Sequence, residues 1–246
     1  MKVFCCQKEL KSKVEGADDG ADIMKQFFLN KENTRVFEVE QSKLDCKKRQ
    51  VLQRLLEKEK IIVFIGGDHS CTASVVNIFD KVEKIIVFDA HNDNEIKAKE
   101  LKNWNFLAYL EFIREGLIIG YRQKNKLMPV KSGFQVIKDY ECKDYYGMTE
   151  RIIEFCKGIK NIYVSVDLDV LNFSEMPGVS FPVGGGIELT ELLFLLHCIA
   201  KQKLNVVLDI VEFNPRIERE HSQKTVFRLL EELYDICEEI VKGKEI

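Results

Sequence analysis

The sequence predicts an α/β fold built on one doubly wound, mostly parallel sheet, and three observations carry that prediction. Short apolar runs alternate with amphipathic stretches along the whole chain. The runs Ile61–Ile65, Ile85–Phe88 and Ile162–Val166 are apolar at nearly every position, as strands buried on both faces of a parallel sheet must be. Each of the three is followed closely by Asp or His, and open α/β sheets bind ligands beyond the carboxyl ends of their strands.

Taken in order, Val3–Cys6 is a first strand, and the polar stretch Lys8–Gly20 closes in a Gly-Ala-Asp-Asp-Gly turn. Ile23, Phe27 and Phe28 give Ala21–Leu29 helical spacing. Thr34–Val39 alternates as a strand does, and Leu44–Lys58 is a charged amphipathic helix. The strand Ile61–Ile65 leads through Gly66 and Gly67 to a helix over Thr72–Phe79. After the Ile85–Asp89 strand, Phe106–Arg114 reads as helix, Leu117–Gly120 and Gly133–Ile137 as strands, and Met148–Lys157 as helix. Asn161–Asp167 is a strand followed by an irregular loop through Gly186. Leu189–Lys201 is helix, Leu204–Val211 strand, and Gln223–Lys242 a closing helix. There is no internal repeat and no low-complexity linker, so residues 1–246 are expected to form a single domain.

Composition narrows the function classes. The chain has 246 residues, 46% hydrophobic, with 37 Lys+Arg against 40 Asp+Glu and a formal charge of −3. That balance favours neither nucleic acid nor an anionic membrane. Val3–Cys6 is too short for a signal-peptide core, and the apolar stretch Leu192–Ala200 is interrupted by His197. The expectation is a soluble, cytoplasmic protein. Its eight cysteines show no C-x-x-C spacing and read as reduced, buried small hydrophobes.

The chemistry concentrates at strand ends. Ile85–Phe88 runs into Asp89-Ala90-His91-Asn92-Asp93, where a side-chain period of two sends Asp89, His91 and Asp93 the same way. Ile61–Ile65 runs into Gly66-Gly67-Asp68-His69-Ser70, and Ile162–Val166 into Asp167-Leu168-Asp169. Taken alone, Gly-Gly-Asp-His also describes a tight turn, and Asp-x-Asp also describes a helix N-cap pair. On separate strands of one sheet they form a candidate metal site, because clustered carboxylates are costly unless a cation offsets them. Asp89, Asp93, Asp167 and Asp169 sum to −4, a charge that two divalent ions bring to zero. Oxygen-rich ligands with two imidazoles and no thiolate suit Mn²⁺ better than Zn²⁺.

These motifs resemble those of the ureohydrolase superfamily of arginase, agmatinase, guanidinobutyrase and formimidoylglutamase. The matching pieces are the three strand ends, Asp209-Ile210-Val211-Glu212-Phe213-Asn214-Pro215, and Pro177-Gly178-Val179-Ser180-Phe181-Pro182 with Gly184-Gly185-Gly186. Glu15-Gly16-Ala17-Asp18-Asp19-Gly20-Ala21 is similar to the family's N-terminal glycine turn. The resemblance implies a three-layer α/β/α arginase-like fold, two Mn²⁺ ions per chain and a homo-oligomer. It implies His69, Asp89, Asp93 and Asp167 around one ion, and Asp89, His91, Asp167 and Asp169 around the other. Glu212 is then expected to face a small guanidino or amidino substrate, a metal-bridging hydroxide to attack its central carbon, and Asp93 to assist proton transfer.

The sequence also departs from that family. Asn94–Asn103 contains no histidine where the family has a loop ending in His-Gly. Gln123–Lys131 is basic where arginases carry acids, with Lys124 and Lys126 placed to favour a carboxylate-bearing substrate or simply to be solvated. Asn172-Phe173 replaces the usual Asp-Pro, and the Pro-Gly-Val-Ser loop is closer to formimidoylglutamases. Of the remaining histidines, His197 reads as a core residue and His221 as a solvated helix cap. The expected function is therefore a binuclear manganese hydrolase of a linear C–N bond with a substrate other than arginine. The alternative is a metal-binding relative that has lost turnover and acts as a binding or regulatory module. A nucleotide-binding domain has no G-x-G-x-x-G or Walker signature to support it.

Overall fold

A computed structural model describes residues 2–6, 15–32, 34–39, 46–95, 99–123 and 129–242. The apolar runs become β1 (Lys2–Cys6), β2 (Arg35–Val39), β3 (Ile61–Ile65), β4 (Lys84–Phe88), β5 (Glu115–Tyr121), β6 (Phe134–Lys138), β7 (Asn161–Asp167) and β8 (Asn205–Val211). Among the described residues they form one eight-stranded sheet in the order β2-β1-β3-β8-β7-β4-β5-β6. Every pairing is parallel, so the carboxyl ends of all the strands lie along one edge.

The period of two divides the strands between two cores. Ile61, Val63 and Ile65 of β3, Ile162, Val164 and Val166 of β7, and Val206, Leu208 and Ile210 of β8 face one side. There they pack with residues of α1 (Ala17–Leu29), α4 (Tyr145–Cys156), α5 (Leu189–Ala200) and α6 (Glu220–Lys242). Ile62, Phe64, Ile85, Val87, Tyr163 and Val207 face the other side, against α2 (Cys46–Glu59), α3 (Ser70–Val76) and a 3₁₀ segment over Asn103–Tyr109. This is the expected three-layer α/β/α arrangement, and it explains why β3 is apolar throughout. The chain leaves β3 and re-enters the sheet at β4 with β8 and β7 between them, which opens a crevice at the carboxyl edge.

Several boundaries differ from the sequence reading, each for a physical reason. The Gly16–Gly20 stretch is not a free turn, because α1 starts at Ala17 with Asp18 and Asp19 in its first turn, where acids complement the helix dipole. Gly20 lets this turn lie directly against the backbone carbonyl of Phe213, beyond β8. The helix expected over Phe106–Arg114 is the 3₁₀ segment instead: the Lys131 ammonium takes the Leu107 and Leu110 carbonyls at 2.6 and 3.3 Å, which a continuing helix would have needed. α3 stops at Val76, and the Asn77 side chain then bridges to the Tyr109 carbonyl at 2.9 Å and the Glu111 amide at 3.1 Å.

His197 is not a core histidine: its side chain is 32% exposed and faces Glu232 at 3.7 Å and Glu239 at 3.9 Å. His221 is exposed as expected but does not cap α6: the Glu218 carboxylate takes its amide at 2.9 Å, and its ring lies 3.0 Å from the Ser174 carbonyl. Cys142, Cys156, Cys198 and Cys237 are buried free thiols and Cys71 is half-buried. No helix among the described residues is long and apolar enough to cross a membrane. Lys124, Lys126 and most of the polar stretch before Glu15 lie outside the described residues.

The Gly20 contact carries a prediction. Gly20→Ala puts a β-carbon into the Phe213 carbonyl, an overpacking cost of about 1–3 kcal/mol. Thermal unfolding should show a fall of roughly 2–4 °C per kcal/mol for a chain of this size, and an unchanged midpoint contradicts the contact.

Candidate metal centre

Four strand ends supply the site. Beyond β3, Gly67 passes close under α1, where a β-carbon would meet Asp18 Oδ1 at 2.6 Å, and its carbonyl accepts the Glu212 amide at 2.7 Å. That turn delivers His69, fully buried, to the start of α3. Beyond β4 come Asp89, His91 and Asp93, with Asp93 held at φ 32°. Beyond β7 the chain tightens into a 3₁₀ turn that carries Asp169 next to Asp167. Beyond β8, Glu212 sits at φ 71°. Left-handed backbone at two non-glycine site residues is strain that tertiary packing must hold in place.

The structure brings all six predicted ligands together. His69, Asp89, Asp93 and Asp167 offer one ligand atom each, all within 4.8 Å of one another, and Asp89, His91 and Asp169 do the same. His69 Nδ1 lies 3.3, 3.2 and 3.0 Å from carboxylate oxygens of Asp89, Asp93 and Asp167. His91 Nδ1 lies 2.8 Å from Asp169 and 3.4 Å from Asp89. Asp89 therefore belongs to both groups, whereas Asp167 clusters with the first.

Backbone amides fix the remaining oxygens. Asp89 Oδ1 accepts from His91 N at 2.6 Å, Asp169 Oδ1 from Ala90 N at 3.1 Å, and Asp167 Oδ1 from Asp169 N at 2.9 Å. In Asp167 and Asp169 one oxygen is thereby anchored while the other faces an imidazole, and in Asp89 the anchored Oδ1 faces His91 while Oδ2 faces His69. His69 Nδ1 and Asp89 Oδ2 are buried yet make no well-formed hydrogen bond. Buried polar atoms left in that condition need a partner. A divalent cation fits the position, and the donor set of carboxylates and imidazoles without thiolate suits a hard or borderline ion such as Mn²⁺.

The electrostatics express the same demand. Burial and the Asp89 charge push Asp93 up to about 7. Burial, Asp169 and Asp89 raise Asp167 well above the usual carboxylate range. Burial opposes the charge on His91, but Asp169 and Asp89 outweigh it and hold its imidazolium up to about 12. Burial also opposes ionisation of Asp89, yet the two imidazoles keep its pKa below the ordinary value. Burial and mutual repulsion of these carboxylates favour positive charge among them.

At the cluster lies a cavity of about 100 Å³, partly open to solvent and lined by His91, Asp93, Asp167, Asp169 and Glu212. Glu212 Oε1 accepts from the His69 amide at 3.0 Å and from Asn103 Nδ2 at 3.3 Å, while its Oε2 is buried without a hydrogen bond. Sequence reasoning missed four other wall residues, Asn103, Trp104, Gln123 and Phe181. It also missed Arg122, whose guanidinium donates to the Asp169, Val170 and Val183 carbonyls at 2.6, 3.0 and 3.2 Å and braces the Asp167–Asp169 turn. Arg122 left a sequence signal, a lone arginine directly after an apolar strand. Asn103 left only its place in the stretch that lacks a histidine. His197 and His221 are not in the cavity wall.

Comparison with known proteins places this geometry. Residues 33–234 match the model of the Arginase family. A formimidoylglutamase from Halalkalibacterium halodurans is 29% identical over 188 residues, covering 69% of this chain and 59% of that protein. A formimidoylglutamase from Salmonella arizonae is 34% identical over 85 residues, 35% of this chain and 26% of that protein. The chain thus matches less than two thirds of the length of these curated relatives. Among solved structures, agmatine ureohydrolase of Thermoplasma volcanium superposes with a TM-score of 0.79 at 21% identity, covering 100% of this chain and 92% of that one. Arginase from Bacillus subtilis gives 0.75 at 22% identity, with 94% and 97% covered. At these identities the superpositions establish the fold.

Glu212 generates a pH prediction. Burial, then the Asp68 charge, push its carboxyl up from 4.5 to about 8. A raised folded-state value means the folded protein holds the proton longer than the unfolded chain, so stability falls as pH rises between the two values. Glu212→Gln cannot ionise and escapes that loss. In metal-free protein its melting temperature should exceed wild type by a margin that grows from pH 5 to pH 8, and a margin that shrinks contradicts the assignment.

Proposed function

The chain belongs to the arginase family, and on that footing we propose that it is a dimanganese hydrolase cleaving a C–N bond in a small linear amidine or guanidine. The observation that carries the reading is the pair of overlapping ligand groups around Asp89, beside a cavity that Glu212 also lines, its Oε2 buried without a hydrogen bond. In this reading His69, Asp89, Asp93 and Asp167 would hold one ion, and Asp89, His91 and Asp169 the other. Such a pair, when bound, supplies a water activated near neutral pH and offsets charge developing on the attacked carbon.

The chain's own groups do the remaining work. Glu212 Oε1 is anchored by the His69 amide and Asn103, so Oε2 is fixed to accept N–H from a cationic amidine. The buried Gln123 Oε1, also without a hydrogen bond, offers a second, neutral acceptor. Trp104 and Phe181 wall the cavity and limit water around the reacting carbon. Asp93, at the cluster's edge, carries a proton to the departing amine. Of the candidate substrates, a formimidoyl-type amidine ranks first: the curated relatives are formimidoylglutamases, and the acceptor at Gln123 is uncharged.

The wider expectations remain part of this proposal: one domain over residues 1–246, an oligomer of identical chains in the cytoplasm, and a small-molecule partner rather than nucleic acid or membrane. A single sheet holding every described strand supports the first. The rival reading is a metal-holding module without turnover. It draws on the cavity wall, where Asn103 rather than a further histidine stands beside Glu212.

A substrate panel on manganese-loaded protein decides between them. Formamide, urea or ammonia should be released from at least one of formimidoylglutamate, agmatine, guanidinobutyrate and arginine, with arginine a poor substrate. Asp93→Asn should lower kcat by about 10²–10⁴. Two bound ions with no product from any compound would favour the module.

A further inference from the structure

Asp209 is buried on β8, and nothing in the proposed reaction uses it. Three hydroxyls converge on its carboxylate. Ser165 donates to Oδ1 at 2.6 Å, while Tyr163 and Thr72 donate to Oδ2 at 2.6 and 2.8 Å. The arrangement follows from register. Ser165 pairs directly with Asp209 across β7 and β8, and Tyr163, Ser165 and Asp167 share one face of β7 by the period of two. Thr72 reaches the same point from the first turn of α3.

Ser165 also lies 3.0 Å from His69 Nε2. A serine hydroxyl has one hydrogen and two lone pairs. Its hydrogen is committed to Asp209, so toward His69 the serine can only accept, and Nε2 must carry the proton. The neutral ring then has its lone pair on Nδ1, the atom that lies 3.0–3.3 Å from three cluster carboxylates. Phe106 stacks on the ring at 4.0 Å and keeps it from turning.

We infer that Asp209 is a positioning residue for the metal centre, acting through Ser165 to fix the His69 tautomer that presents Nδ1 as a ligand. The inference rests on the two-ion reading given above. Carboxylate-oriented histidine ligands bind metal more tightly, and losing such a partner typically costs 10–100-fold in affinity. Tyr163 and Thr72 play a different part. They satisfy the second oxygen of Asp209, so that a carboxylate can remain charged in this buried place.

The test is calorimetric titration of metal-free, full-length protein with Mn²⁺. Wild type should show two constants. Asp209→Asn and Ser165→Ala should each weaken one of them, that of the His69 group, by 10–100-fold, and move the other less than threefold. The double variant should be no weaker than the poorer single one, because both changes break one relay. Tyr163→Phe, which leaves the Ser165 link intact, should shift either constant less than threefold. If Asp209→Asn fails to fold, Ser165→Ala alone carries the test. Two unaltered constants, equal weakening of both, or additive effects overturn the inference while leaving the function standing. A wild type that binds no Mn²⁺ overturns both.

Discussion

Four carboxylates and two imidazoles occupy one buried volume at the carboxyl edge of the sheet, and their charge has to be offset there. Asp89 is the focus, since its two oxygens face two different histidines. Burial and neighbouring carboxylates raise Asp93 and Asp167, while the two imidazoles lower Asp89 against its burial. Such a cluster is costly to bury for its own sake. Its persistence is understandable only if the fold around it is stable enough to carry that cost and if something of opposite charge enters it.

The fold meets the first condition through a fully parallel sheet with apolar layers on both faces. Because the strands run in one direction, β3, β4, β7 and β8 deliver their terminal residues to the same edge. Backbone amides two residues on then anchor one oxygen of Asp89 and of Asp167, and the Ala90 amide beyond β4 anchors one of Asp169. The left-handed backbone at Asp93 and Glu212 belongs to the same economy: rigid neighbouring strands hold conformations that a free chain would avoid. Beneath the cluster, the Tyr163–Ser165–Asp209 column extends the site one layer into the core.

Much of this was legible in the sequence because it depends on local pattern. Ile61–Ile65 and Asn161–Asp167 appear as strands with the boundaries expected, since short, mostly apolar β-branched runs between polar or glycine breaks admit few alternatives. The six metal-site side chains were legible as Asp and His clustered just past apolar strands, although β4 ends at Phe88, Asp93 is left-handed and Asp169 lies in a 3₁₀ turn, so turns rather than a continued period of two bring them together. What stayed hidden depends on distant partners. The segment after Asn103 fails to become an α-helix because Lys131 takes its carbonyls. The early start of α1 depends on Gly20 fitting against Phe213. Asn103, Gln123 and Phe181 reach the cavity from separate loops, with no shared motif to announce them. His197 looked apolar from its neighbours, yet it is positioned by Glu232 and Glu239 on another helix.

The account depends on cations filling the space between these ligands, and anomalous diffraction at the manganese edge from crystals grown with Mn²⁺ measures that directly. The expected result is two peaks about 3.5–4 Å apart, one against His69 and one against His91, with Asp89 between them. A single peak, or peaks away from Asp89, would contradict it.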